Sequence, residues 1–294
     1  MKKSDHIALI SLPIVILIAA LVTIAGSQNG ATVNGIPLLA LVVGLAFGVQ
    51  WLAFIPAYFL QTEKFFDITG SLTYIAVMVI AATLSSEIDA RSILLLVLVV
   101  VWAIRLGTFL VVRVHKAGKD GRFDDIKPSF SRFLNVWTIQ GLWVTLTAVA
   151  ALVAITTARH QALDGFALVG FLLWLGGFGL EVVADAQKTR FNANPANQGK
   201  FIQTGLWSRS RHPNYVGEMI LWFGIALITL PVLQGWQWVA LISPLFVTLL
   251  LTKVSGIPML ETRADAKWGG QADYEAYKKN TPVFLPRWEA RAIK

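Results

Sequence analysis

Eight apolar runs of about membrane-spanning length constrain this chain's fold more than anything else in it. A hydrocarbon core of about 30 Å takes about 20 apolar residues per helix. The runs fall near 7–25, 36–60, 71–86, 92–112, 136–157, 163–184, 214–231 and 238–256. The predicted class is therefore all-α: a polytopic helical membrane protein with about eight spans, within a range of seven to nine. The short third run and the indistinct start of the fifth set that range. Composition agrees, since 55% of the residues are hydrophobic and only 14% charged. Eleven Trp and seventeen Phe suit lipid-facing surface and interfacial belts. Met1-Lys-Lys before Ile7 has the outline of a signal peptide. The apolar run is too long for one and lacks a small-x-small cleavage site, so it reads as a retained first helix.

Orientation follows from Lys and Arg. With the N-terminus inside, the outer connections are 26–35, 87–91, 158–162 and 232–237, with Arg91 and Arg159 as their strong bases. The inner segments hold nearly all the rest, which predicts an even span count with both termini cytoplasmic. The net charge of +8 then belongs to cytoplasmic loops beside the bilayer, and no nucleic-acid partner is expected. No fixed-period repeat appears. The expectation is one membrane-embedded domain, with N-terminal spans over 7–60, a core over 61–256 and a C-terminal tail over 257–294.

Several chemistries are excluded outright. The chain has no cysteine, hence no disulfide, thiolate metal site or Cys nucleophile. It has no Gly-x-Gly-x-x-Gly after a strand, no Walker loop, no Gly-x-Ser-x-Gly elbow and no His/Asp metal spacing. Any cofactor must sit in a cavity inside the helical bundle, and no metal is expected.

Charges inside spans are expensive, about 2.5–3.5 kcal/mol at mid-bilayer on insertion scales, so those present are informative. Arg105 lies well within the fourth run, and Glu181 and Asp185 lie one turn apart near the end of the sixth. Gln61, Glu63 and Asp67 follow the second run, with Tyr74 two turns further on. The segment 185–199 reads as a polar linker carrying Lys188, Arg190, Asn192 and Asn194, whose amides and cations suit sugar hydroxyls and phosphates. Its bland alternative is a re-entry loop in which Asn and Pro make turns. The densest cluster is Gly205–Glu218, with Arg209, Arg211, His212, Asn214, Tyr215 and Glu218. Pro213 biases His212 away from the α conformation, and Asn214 reads as the N-cap of the seventh helix. Beyond the last run, Lys253, Tyr274, Tyr277 and Phe284-Leu-Pro286 form a tail able to close over a nucleotide.

These residues carry a resemblance. The run Asp185-x-x-Lys-x-x-Phe191, then Gly205-Leu-Trp and Arg211-His-Pro-Asn-Tyr-x-Gly-Glu218, resembles the steroid 5α-reductase C-terminal-like superfamily. It most resembles that superfamily's bacterial domain-of-unknown-function branch. Trp102-Ala-x-Arg-Leu-Gly107, Arg113, Asp120-Gly-Arg-Phe123 and Val254-Ser-Gly-Ile-Pro258 extend the likeness over about 60–286. The short Arg-His-Pro-x-Tyr run is shared with isoprenylcysteine and phospholipid methyltransferases. The resemblance implies a bacterial inner-membrane reductase that binds NADPH from the cytoplasmic side and reduces an enone C=C bond of a steroid-like or other lipid. By position, Asp185 matches a cofactor-contacting acid, Asn214 and Glu218 match nicotinamide-side residues, and Arg105 and Lys253 match cofactor-cavity cations. Glu63, Asp67 and Tyr74 are the implied catalytic set. Glu63 stands near the family's Gln-Glu pair with Thr62 intervening, and Trp102 takes the place of the family's Tyr. Two other classes remain open: a membrane methyltransferase using S-adenosylmethionine, and a non-enzymatic lipid-binding or transport protein.

Overall fold

The structure, a computed structural model, describes residues 3–118 and 120–284. Ten α-helices are present among the described residues: α1 (Lys3–Gly26), α2 (Leu38–Phe59), α3 (Phe66–Leu84), α4 (Ala90–Ala117), α5 (Phe130–Thr156), α6 (Gly165–Ala193), α7 (Pro213–Thr229), α8 (Ile242–Leu249), α9 (Ile257–Trp268) and α10 (Ala272–Asn280). Among the described residues eight helical segments are long and apolar enough to cross a membrane, so the protein is a polytopic helical membrane protein. The last of these, Gly235–Trp268, is composite. A 3₁₀ stretch leads into α8, and a wide π turn at Leu250–Val254 leads on to α9.

The chain forms two compact units. The first comprises Met1–Leu168 with Ala226–Ser243, the second Val169–Ile225 with Pro244–Lys294.

In the first unit α5 is the central helix, packed by α1, α2, α3 and α4. Its spanning window is 89% buried, against 28% for α1, which decides which of them faces lipid. On α1, Ile7, Ile10, Ile14, Leu17, Leu21 and Ile24 recur every three or four residues and are all exposed, a stripe suited to acyl chains. A two-residue turn joins strands β1 (Thr32–Val33) and β2 (Ile36–Pro37). Asn34 at φ 51° and Gly35 at φ 80° supply the left-handed pair that such a hairpin requires. Arg91 is 1% exposed rather than lying in a wet outer connection. Its guanidinium donates to the carbonyls of Ile228 and Ala162 and lies 3.1 Å from Asp164. Asp164 in turn accepts from the Ala167 N–H at the start of α6, and Asp89 accepts from Ser92 at the start of α4. Two helix starts are thus tied through charged groups.

In the second unit α6 and α7 approach until backbone meets backbone. A Cβ on Gly217 would stand 2.5 Å from the Gly177 carbonyl oxygen, and one on Gly224 would stand 2.5 Å from that of Gly170. The two glycine pairs are seven residues apart on each helix, two turns, so they lie on one seam. Only glycine permits this spacing without pushing the helices apart.

Two sequence expectations need correction. The linker expected at 185–199 is helical through Ala193, which puts Asp185, Lys188 and Asn192 at i, i+3 and i+7 on one face of α6. The stretch carrying Arg209 and Arg211 turns rather than runs straight: Gly205–Ser208 is a 3₁₀ turn, and α7 starts at Pro213 after residues 209–212. Asn214 therefore lies within the first turn of α7 rather than capping it, because Pro213 takes the first helical position, where its missing N–H does no harm. Residues 285–294, including part of Phe284-Leu-Pro286, lie outside the described residues.

Candidate functional site

The densest polar arrangement in the second unit begins on α6. One turn from Asp185, Lys188 places its ammonium 4.5 Å from the centre of the Trp207 ring, a cation–π contact. Trp207 is 3% exposed and fixed by its indole N–H, which donates to the Ala184 carbonyl at 3.0 Å. The 3₁₀ turn is held from the other side by Gln187, which accepts from the Leu206 N–H at 2.9 Å. Gly205 adopts φ 62°, and a Cβ there would meet Gln187 at 2.6 Å, so glycine is required for this contact.

Past the turn, Arg211 and His212 converge on one carboxylate from α9. Glu261 Oε2 accepts from Arg211 at 2.8 Å, and Glu261 Oε1 lies 2.7 Å from His212 Nε2. Burial pushes the His212 imidazole below its ordinary value; Lys188 and Arg211 push the same way, against the hydrogen bond to Glu261. The neutral ring donates from Nε2 to the carboxylate, since a carboxylate only accepts. His212 also stacks on Tyr215, at 5.8 Å and 12° between planes. The segment after α10 returns to this motif: Arg211 N–H donates to the Pro282 carbonyl at 2.9 Å and Ser210 Oγ donates to that of Val283 at 3.1 Å.

Around this triad lies a cavity of about 270 Å³. Lys188, Lys200, Arg211, Arg263 and Lys267 line it, with Glu261 as the sole carboxylate among the described residues and Phe201, Trp207, Trp268, Tyr274 and Tyr277 as aromatic walls. Tyr274 donates to Asp265 at 2.8 Å and Tyr277 donates to the Trp207 carbonyl at 2.7 Å. Burial pushes both phenols well above their ordinary value, so they stay protonated. Trp268 donates to the Gly199 carbonyl at 2.6 Å. Deeper on the helices, Asn214 donates to Asp185 at 3.1 Å, and Glu181 is 2% exposed beside the Gly177–Gly217 crossing.

Of the residues singled out from sequence, Lys188, Asn192, Arg211, His212, Tyr274 and Tyr277 line the cavity together. Tyr215 backs His212 and Asp185 pairs with Asn214, with Glu218 one turn along α7 from Asn214. Arg190, Asn194, Arg209 and Lys253 are exposed and do not line it. The Asn194 side chain caps the short turn at Pro195–Asn197 instead. Sequence reasoning missed Lys200, Glu261, Arg263, Lys267 and Trp268. The signal was there: 260, 261, 264, 267 and 268 recur at helical spacing on one face of α9.

Glu63, Asp67, Tyr74 and Arg105 belong to the first unit. Glu63 is 5% exposed, and both its oxygens are engaged, one by the Asp120 N–H at 2.9 Å and the other by the Lys127 ammonium. Burial works against its charge, but these two hydrogen bonds prevail and its pKa is lowered. Asp120 also holds Arg122. Beside this clamp, Phe123, Phe133, Trp137 and Phe54 form a buried cluster that Phe65 and Phe66 pack against. Asp67, in the first turn of α3, lies 3.7 Å from Arg113. Tyr74 is 6% exposed and meets Trp102 edge to face at 5.2 Å. The Arg105 guanidinium stands over the Phe109 ring at 5.3 Å.

Comparison with known proteins gives one similar curated protein, "Probable O-methyltransferase ustE" from Ustilaginoidea virens, 32% identical over 114 residues. That stretch is 34% of this chain and 40% of the relative, so the chain spans about two fifths of that protein's length. No solved structure matches the chain. Residues 53–281 match the family described as "Protein of unknown function (DUF1295)". That stretch takes in both the Glu63 clamp and the cavity around Glu261, and the chain belongs to the DUF1295 family.

Proposed function

We propose that the protein is an NADPH-dependent membrane reductase acting on an activated C=C bond, such as an enone, of a lipid, with a steroid-like ring system as the leading substrate type. One observation carries it: five cations line the cavity against a single carboxylate, and that carboxylate is already held by Arg211 and His212. Arg and Lys in such excess suit phosphate groups. The grouping of DUF1295 with steroid 5α-reductase-like proteins supports the same reading. The residues fit the cofactor: Lys188, Lys200, Arg211, Arg263 and Lys267 would hold its phosphates, while Asp185, Asn214 and Glu218 offer acceptors and donors further along α6 and α7. NADPH, when bound, supplies a hydride to the β-carbon of the enone.

The chain's own share is orientation and charge. Negative charge developing on the enone oxygen calls for a proton donor or a hydrogen bond, and the α-carbon then takes a proton. Asp67 and Tyr74 are the proposed groups for that work. Glu63 has both oxygens committed to holding the 120–127 loop, which narrows the catalytic set from three residues to two. The bacterial plasma membrane, with both termini inside, is the proposed location.

A second reading has its own observation, the 114-residue similarity to a protein named as an O-methyltransferase. S-adenosylmethionine is cationic and has no phosphate, so it would suit the acids Glu181 and Asp185 better than the cationic cavity. Thermal unfolding of the purified protein in detergent separates the two. NADPH at millimolar concentration is expected to raise the melting temperature and S-adenosylhomocysteine to leave it unchanged. The opposite pattern replaces the reductase with the methyltransferase, and no shift with either removes both.

A further inference from the structure

We infer that the pocket where α1 ends holds a bilayer lipid whose head is uncharged and carries a free hydroxyl, as a diacylglycerol does. The hydroxyl meets Ser27 and Gln28, and the acyl chain lies along α1. The site belongs to the first unit and is independent of the reductase reading.

Its position suits a lipid. The pocket has a volume of about 520 Å³ and is lined by Leu21, Ile24, Ala25, Ser27, Gln28 and Trp236. Pockets that enclose much of a small ligand run from about 300 to 1,000 Å³. The spanning part of α1 stops at Gly26, so Leu21 and Ile24 lie on its apolar side and Ser27 and Gln28 just beyond it. Leu21 and Ile24 are also the last members of the exposed stripe on α1. The pocket therefore opens onto a face along which an acyl chain can run.

The wall opposite α1 is fixed in place. Gln28 Oε1 accepts from the Trp236 N–H at 2.6 Å, and the Gln237 side chain donates to the Gln28 carbonyl at 2.6 Å and to Thr157 at 3.1 Å. Gly235 adopts φ 50°, and a Cβ there would fall 2.2 Å from Gln28 Oε1, so only glycine lets Gln28 reach. The backbone that carries Trp236 is thus held, while its ring is 73% exposed and free to cover a ligand. Trp at the edge of a span presents ring surface to lipid and an N–H to the head region.

The lining decides the kind of head. None of the six residues is charged, whereas an anionic head calls for Lys or Arg. Arg159 comes to this end of the unit, because the Ala158 N–H donates to the Asn29 carbonyl, yet it does not line the pocket. What the polar edge holds is a hydroxyl and an amide. Ser27 Oγ is buried and has no hydrogen-bond partner among the described residues. A buried polar group left unpaired is costly, and a ligand hydroxyl can both donate to it and accept from it. Gln28 spends its side-chain oxygen on Trp236 and keeps its NH2 group to donate. A phosphate brought here would lose its hydration with no cation to meet it.

The test reconstitutes the full chain into phosphatidylcholine vesicles that contain one of two photoactivatable probes, at equal mole fraction. One is a diacylglycerol and the other a phosphatidylglycerol, both with the same diazirine-bearing acyl chain, and labelled peptides are read by mass spectrometry. The diacylglycerol is expected to label 17–28 and 235–238 about fivefold more than the phosphatidylglycerol, the worth of one neutral hydrogen bond. Residues 7–14, on the same stripe of α1, should show no preference. Ser27→Ala and Trp236→Ala should each remove most of the preference; the Trp236 ring is exposed, so that variant should fold. Equal labelling by the two probes would show ordinary bilayer lipid, and stronger labelling by the phosphatidylglycerol an anionic-lipid site; either overturns the proposal. No labelling at 17–28, or a preference that survives both substitutions, overturns it too.

Discussion

Glu261 lies 2.7 Å from the imidazole of His212, and its second oxygen takes Arg211 at 2.8 Å. One carboxylate from α9 therefore fixes two neighbouring side chains of the Arg-His-Pro motif, both of them largely buried. Glu261→Gln keeps the shape but removes the charge that pairs with Arg211 and leaves one acceptor oxygen where two donors converge. A lost hydrogen bond to a charged group costs about 1.5–3 kcal/mol. The variant is expected to melt several degrees lower in detergent and to bind NADPH about tenfold more weakly. A variant that melts and binds like wild type would show that the pair is ornamental.

Stability should respond to pH through His212. Its pKa is lowered by burial, so the folded state holds the ring neutral where the unfolded chain, with an ordinary value of about 6.5, begins to take up a proton. Protons then favour the unfolded state, and stability falls as the pH drops below about 6.5. Glu63 acts in a separate, lower window: its pKa is lowered from 4.5, so its contribution is present above that value and disappears as the pH falls through the folded one. Chemical denaturation from about pH 8 to about pH 5 is expected to show progressive loss in wild type and a flatter curve in His212→Gln.

Arg91→Met tests the tie between the starts of α4 and α6. The guanidinium is buried, and its removal takes the donor from the Ile228 and Ala162 carbonyls and the cation from Asp164, which keeps the Ala167 N–H. Breaking a buried charge pair costs about 3–5 kcal/mol, and the partial exposure of Asp164 puts this case near the low end. The expected outcome is a sharp fall in the yield of monodisperse protein. Arg91→Lys should recover only part of it, since one ammonium cannot reach all three acceptors.

Gly217→Ala probes the α6–α7 seam. The added methyl would stand 2.5 Å from the Gly177 carbonyl oxygen and 2.7 Å from the Glu181 N–H nitrogen. Both are helix backbone, which yields only if the helices separate. Overpacking of this kind costs about 1–3 kcal/mol. Because Asp185 and Asn214 sit near that crossing, NADPH affinity is expected to fall along with the melting temperature. Alanine at Gly176, where an added Cβ meets nothing within 4 Å, is the matched control.

The spans were legible because hydropathy reads lipid burial directly. All eight runs are spanning helices, with ends that differ where polar residues enter a helix. Asp67 hid the first turn of α3; Arg132 and Asn135 hid the start of α5. The same effect disguised the last two turns of α6, where Lys188, Arg190 and Asn192 look like loop residues yet keep helical spacing. The cluster at Arg211 and His212 was legible from its density of charge. Its partner Glu261 was not, because it lies 50 residues away on a helix that reads as tail until it is folded against the motif. Glu63 was visible as an acid, but only the fold showed both its oxygens occupied by Asp120 and Lys127.

The most direct test of the phosphate-cofactor site is calorimetric titration of NADPH into the wild type and into an Arg263→Glu/Lys267→Glu double variant. Both changed residues line the cavity and project into solvent, so the variant should fold. Saturable one-to-one binding to wild type that falls by about a hundredfold or more in the double variant is the expected result, on the order of 1.5–3 kcal/mol for each charge-assisted contact. Equal affinity in both proteins, or none in wild type, would contradict it.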